Sequence, residues 1–169
     1  MIIYGILIFI IFFPIFILAI NKDFKNTFSK VNSHGFDVVI ELIIGIIYFL
    51  LIFIGFFMST TESTFMIILG IIIYVFSIFC TYLGYYTFFK NKKTLINSGI
   101  YKFSRNPTYL FSFIAIFGVS IMTRSAPIFL LLCIQILLTH KIILNEEKEL
   151  EKEFGKKYIE YKKKVGRYF

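Results

Sequence analysis

Long apolar stretches broken by short polar connectors set the pattern of this chain. Met1 to Ile20 carries no charged residue, and further apolar runs occupy Val38–Met58 and Phe65–Phe89. Two shorter runs, Pro107–Met122 and Ala126–Leu144, follow. About 20 residues of helix cross a bilayer's hydrocarbon core. No run alternates with period two, and lipid offers nothing to satisfy open backbone groups, so the runs predict helices rather than strands. The first run lacks a basic segment ahead of it and a small-residue cleavage site behind it, and is expected to be a span rather than a signal peptide. Only Thr123-Arg124-Ser125 separates the last two runs. This spacing predicts a helical hairpin, with Ser125 as N-cap and Pro127 in the first turn of the returning helix. Both arms are short for free-standing spans and are expected to tilt or to pack against the longer helices. The expectation is an all-α polytopic membrane protein with five transmembrane helices.

Composition agrees with this pattern. Of 169 residues, 58% are hydrophobic and 20% aromatic, and the mean hydropathy is +0.81, far above that of a soluble domain. Orientation follows from the basic residues. Lys22, Lys25 and Lys30 lie between the first two runs; Lys90, Lys92, Lys93, Lys102 and Arg105 lie between the third and fourth; Lys141 lies in the last turn of the fifth and eight more follow it. With five spans, every basic residue except Arg124 falls on one side, which is 17 of 18. The N-terminus is therefore expected outside the cell membrane and the tail in the cytosol. The formal charge of +8 is explained by contact with anionic membrane lipids rather than nucleic acid, because the basic residues flank spans and alternate with Glu in the tail. Cys80 and Cys133 stand alone in apolar runs and have no metal-ligand spacing. The chain reads as one integral membrane domain, 1–169: a three-helix scaffold over 1–89, then a loop, the hairpin and a tail over 90–169.

Candidate chemistry brackets the hairpin. Upstream, Gly99 permits a backbone turn closed to other residues, and Pro107 opens the fourth helix. Arg105 and Asn106 bring several donors to a helix N-terminus, where an anionic group is favoured. A solvated interfacial loop is the plain alternative. Downstream, Asn145-Glu146-Glu147 follows the fifth run. These residues serve as an N-cap with two acids in a first turn, or as carboxylates that accept hydrogen bonds from a ligand. Beyond them Leu150, Phe154, Tyr158, Tyr161 and Val165 recur at helical steps, with Lys and Glu opposite. That spacing predicts an amphipathic C-terminal helix, with Gly155 as a possible break.

The segment from Gly99 to Leu110, GIYKFSRNPTYL, resembles the G-x-Y-x-x-x-R-[HN]-P-x-Y motif of the isoprenylcysteine carboxyl methyltransferase and phospholipid methyltransferase families. Glu146-Glu147, Leu150, Phe154-Gly155, Tyr158, Tyr161, Val165 and Arg167 look like the C-terminal pattern of the same families. The resemblance covers roughly the last 75 residues. It implies S-adenosylmethionine bound in a cytosol-facing pocket between hairpin and tail. Gly99, Tyr101, Arg105, Asn106, Pro107, Tyr109, Leu110, His140, Glu146 and Glu147 would then line or support that cofactor site, with Arg105, Asn106 and Glu147 closest to catalysis. Asn106 stands where the prenylcysteine enzymes have His, and it cannot titrate near neutrality. Thr94 replaces a further His of many relatives. An Arg common just before the paired acids is missing, with His140 and Lys141 nearby instead.

The implied activity is methyl transfer to a hydrophobic or lipid-like acceptor, a carboxylate, thiol or amine, that enters from the bilayer. Such a displacement needs alignment and exclusion of water more than a metal, and the faces of Tyr101 and Tyr109 suit a sulfonium. His140 and the paired acids are the available bases. Two other readings stand beside it: a sterol-type membrane reductase using NADPH, whose C-terminal bundle also resembles this region, and a non-catalytic membrane scaffold.

Overall fold

A computed structural model describes residues 62–91 and 94–169. The first two apolar runs, the connector between them and most of the following loop lie outside the described residues. Four α-helices and one short 3-10 turn, with no strand, make up the described part: α1 (Thr64–Lys90), the turn Gly99–Lys102, α2 (Pro107–Thr123), α3 (Ala126–Phe154) and α4 (Lys156–Lys164).

In α1, Gly70, Tyr74, Ser77, Thr81 and Gly84 recur every three or four residues and form one buried face. That face receives α2, which runs antiparallel to it. Gly70 meets Gly118 and Met122 at one end, and Gly84 meets Thr108 at the other. The crossing is too close for larger residues: a Cβ on Gly70 would lie 2.7 Å from the Gly118 carbonyl oxygen, and one on Gly118 would lie 2.9 Å from that of Gly70. Small residues at such a crossing let the backbones touch, which drives helix association where the hydrophobic effect does not. Ser77 and Thr81 remain buried because their hydroxyls donate to carbonyls one turn back, at 2.6 and 2.9 Å.

The hairpin forms as its sequence dictates. Arg124 takes a left-handed conformation, φ 47°, to end α2, and the Ser125 hydroxyl then accepts the Ile128 amide at 3.3 Å to cap α3. Ile116, Val119 and Met122 of α2 pack with Ile128 and Leu132 of α3 and Tyr74 of α1 in one core. Phe65, Ile72, Phe76, Phe79 and Leu137 point outwards and are exposed. A large exposed apolar surface of this kind is at home in lipid. Two helices, Thr64–Phe88 within α1 and Ala126–Phe154, are long and apolar enough to cross a membrane, whereas α2 has 17 residues.

One expectation changes. Asn145 does not cap a separate tail helix, because α3 continues through it to Phe154. The good helix formers that follow Leu144 give the helix no reason to stop. It ends at Gly155, whose φ of 52° breaks the axis before α4. The hairpin's second arm therefore carries Glu146 and Glu147 out of the apolar stretch on a rigid helix.

Candidate functional site

Three segments meet where α2 begins: the Gly99–Asn106 loop, the charged half of α3 beyond Leu144, and the residues after α4. Gly99 has φ 58°, and a side chain there would also press on Thr87. It starts the 3-10 turn that buries Tyr101. Pro107 then fixes the first turn of α2, with Pro107 and Leu110 buried.

Glu147 is the centre of the site and is 3% exposed. Arg167 grips it with two bonds, Nε to Oε1 at 2.9 Å and Nη2 to Oε2 at 3.0 Å. Arg105 Nη2 lies 3.4 Å from Oε1, and Asn106 Nδ2 donates weakly to the same oxygen at 3.5 Å. The anion favoured at this helix N-terminus is thus supplied by the chain itself. Burial alone would raise the Glu147 carboxyl; the Arg167 hydrogen bond and the charges of Arg105 and Arg167 reverse this and hold it below the usual carboxylate range. Arg167 is shifted up in turn, chiefly by that bond.

The backbone after α4 is strapped to the loop. The Arg105 amide donates to the Gly166 carbonyl at 3.0 Å. The Ser104 hydroxyl and Asn106 Nδ2 both donate to the Arg167 carbonyl, at 3.1 and 3.3 Å. Deeper in, the Tyr161 hydroxyl donates to the Tyr101 carbonyl at 2.6 Å. The result is a clasp in which loop, α3 and tail hold each other through one carboxylate and three carbonyls.

Three polar atoms remain over. Arg105 Nε and Nη1 and the Tyr158 hydroxyl are buried without a hydrogen-bond partner, and the Arg105 side chain is only 7% exposed. The guanidinium lies near enough to oppose the upward shift of Tyr158, which burial and the Glu147 charge nevertheless push up to about 12. A buried guanidinium that spends one of its five N–H groups on a 3.4 Å contact has donors to offer. A net positive charge stays in the cluster, since two arginines face one glutamate.

Of the residues singled out from the sequence, the structure brings Arg105, Asn106 and Glu147 into contact. The Tyr109 hydroxyl donates to Glu146 Oε1 at 2.7 Å on a half-buried flank. Tyr101 packs below the loop, and its phenol is held well above its ordinary range, mainly by burial. His140, two turns before Glu147 on α3, joins none of these; its Nδ1 shares a 2.9 Å hydrogen bond with the Tyr168 hydroxyl. Sequence reasoning left out Ser104, Tyr158, Tyr161, Arg167 and Tyr168 as site residues. Arg167 and the two tyrosines stand in the C-terminal pattern, so a signal was present. Ser104 and Tyr168 gave none, because their roles depend on backbone proximity across more than 60 and about 30 positions respectively.

The fold and this site define a helical membrane protein whose polar machinery is gathered at the charged end of an apolar hairpin. The chain belongs to the phospholipid methyltransferase family, whose profile matches residues 50–157. No curated protein and no solved structure matches it. The family match takes in the loop, the hairpin and the paired acids, and stops short of Tyr158, Tyr161 and Arg167.

Proposed function

We propose that the chain transfers a methyl group from S-adenosylmethionine to a hydrophobic or lipid-like acceptor at the cytosolic face of the membrane. The observation that carries this is the joining of the two segments by the clasp, which leaves a buried guanidinium only loosely paired with Glu147. A buried, positively charged guanidinium of this kind favours an anionic group such as the carboxylate of the donor's amino-acid portion, through a charge-assisted hydrogen bond. Glu146, half-buried and oriented by Tyr109, suits hydroxyl or amino groups of the same molecule. When bound, S-adenosylmethionine supplies an electrophilic methyl group for in-line displacement.

The chain's own residues bind and align rather than move protons. Glu147 is ionised, accepts from Arg167 and Asn106 and pairs with the charge of Arg105, so it acts as the anchor of Arg105, Asn106 and Arg167 and not as a base. Tyr158, at about 12, stays protonated at neutral pH and can only donate or accept through its hydroxyl. An acceptor that is already a carboxylate or thiolate needs no base, whereas an ammonium must lose its proton before it arrives. The exposed apolar flanks of the hairpin leave the acceptor's hydrophobic part in lipid while its reactive atom reaches the charged end. Five spans, an outside N-terminus and residence in the cell membrane complete the proposal.

Binding to detergent-purified protein tests it. S-adenosylmethionine or its demethylated product should raise the melting temperature, and Arg105→Gln should remove the rise. A rise with NADPH and none with S-adenosylmethionine would refute the methyltransferase reading.

A further inference from the structure

A concavity opens beside the clasp and shares Tyr161 with it. Between the connector 94–102 and α4 opens a cleft of about 670 Å³, a volume common for small-molecule sites. Leu95 and Phe154, both half-buried, contribute apolar wall, while Lys102, Lys157, Lys164 and Glu160 contribute charge and are exposed. Three lysines against one glutamate give the cleft a net charge of +2. None of Arg105, Glu146, Glu147 and Arg167 lines it.

Its place in the fold narrows what it would take. The connector follows the end of α1 at Lys90, and α4 follows the charged half of α3, so the cleft sits at the end of the bundle where the apolar stretches give way to lysines. Beside Lys102, Phe103 is 77% exposed, between the buried Tyr101 and Ser104. An exposed aromatic next to lysine is the arrangement that seats a protein at the boundary between headgroups and acyl chains. A cleft with apolar walls and a cationic rim at that level matches an amphiphile with a negative head.

We infer that this cleft binds an anionic phospholipid of the surrounding bilayer, with Lys102, Lys157 and Lys164 on the headgroup and Leu95 and Phe154 against its apolar portion. The inference does not depend on methyl transfer. It assigns a lipid to a cleft that Arg105, Glu146, Glu147 and Arg167 do not line. By docking on both the connector and α4, such a lipid would steady the two elements that the Tyr161 to Tyr101 bond joins underneath.

The test uses the full chain, purified in neutral detergent, delipidated, and titrated with phosphatidylglycerol or phosphatidylcholine while bound lipid is counted by native mass spectrometry. Each lysine near an anionic headgroup contributes about fivefold in affinity. The unaltered chain should therefore prefer phosphatidylglycerol by tenfold or more. Lys102→Gln/Lys157→Gln/Lys164→Gln should abolish the preference, and the corresponding triple arginine variant should keep it. Lys148→Gln/Lys156→Gln/Lys163→Gln removes the same charge from exposed positions outside the cleft and should leave the preference within twofold. Equal loss in both glutamine variants would overturn the proposal in favour of a diffuse basic surface. Absence of any preference in the unaltered chain, or competition by glycerol phosphate as effective as by the lipid, would overturn it as well. Because the S-adenosylmethionine shift is read separately, failure of one conclusion leaves the other standing.

Discussion

Replacing Glu147 with glutamine keeps the shape of the side chain and removes its charge, so the consequence follows from the contacts. Arg167 now donates to both oxygens at 2.9 and 3.0 Å, and Arg105 stands 3.4 Å from one of them. A glutamine has one acceptor oxygen, and its amide nitrogen must face a guanidinium, donor against donor. Removing one member of a buried pair costs about 3–5 kcal/mol. The Arg167 side chain is 28% exposed and can turn to water, which places the expected loss near the lower limit, about 3 kcal/mol. The pH dependence has a definite sign. The native carboxyl lies below its ordinary value, so its stabilisation is fully present above the unfolded value of about 4.3 and is lost as pH falls through the lower native value. Reversible unfolding in mixed micelles, followed by circular dichroism from neutral pH down to about pH 3, should show an acid-induced loss in the unaltered chain that is much smaller in Glu147→Gln. Combining Glu147→Gln with Arg167→Gln should cost less than the sum of the two single changes, because both remove the same interaction. A variant within about 0.5 kcal/mol of the unaltered chain at neutral pH, or one with the same acid-induced loss, would refute this account of Glu147.

Three further outcomes are expected under the same unfolding assay. Gly118→Ala should destabilise by about 1–3 kcal/mol, because its Cβ would meet the Gly70 carbonyl and neither backbone can yield cheaply. Tyr161→Phe should cost about 1–2 kcal/mol by leaving the Tyr101 carbonyl without its donor. Ser125→Ala should cost about 1 kcal/mol through loss of the α3 cap, without altering S-adenosylmethionine binding.

Run lengths and connector chemistry were enough to place α1, the hairpin and the Ser125 cap, because each depends on residues adjacent in the chain. The extent of α3 was harder to read. The apolar pattern ends at Leu144 while the helix does not, since intrinsic propensity continues it to Gly155 after burial in lipid has ceased to. The crossing at Gly70 and Gly118 was equally hidden: either glycine alone looks incidental in an Ile-rich run, and only their meeting across two helices gives them a reason.

The site shows the same division more sharply. Arg105, Asn106 and Glu147 were accessible as members of two motifs, yet as isolated positions they read as ligand groups, and Glu147 most of all. In the structure its charge is consumed within the chain, chiefly by Arg167. This exchange gives Arg105 its character. Were Glu147 paired with Arg105 through two bonds, the guanidinium would have few donors left and the cluster little attraction for an anion. Because Arg167 takes that role from the tail, Arg105 is buried, charged and only loosely engaged. The residues after α4 are therefore part of the site even though they lie beyond the family match. Removing the Arg167 guanidinium should weaken S-adenosylmethionine binding without any direct contact, by letting Glu147 close on Arg105. Arg167→Gln should lower affinity for the cofactor more than Tyr168→Phe, which removes the hydroxyl bonded to His140 and leaves both bonds from Arg167 to Glu147 in place; equal effects, measured by equilibrium binding, would show that the tail matters only as a cover.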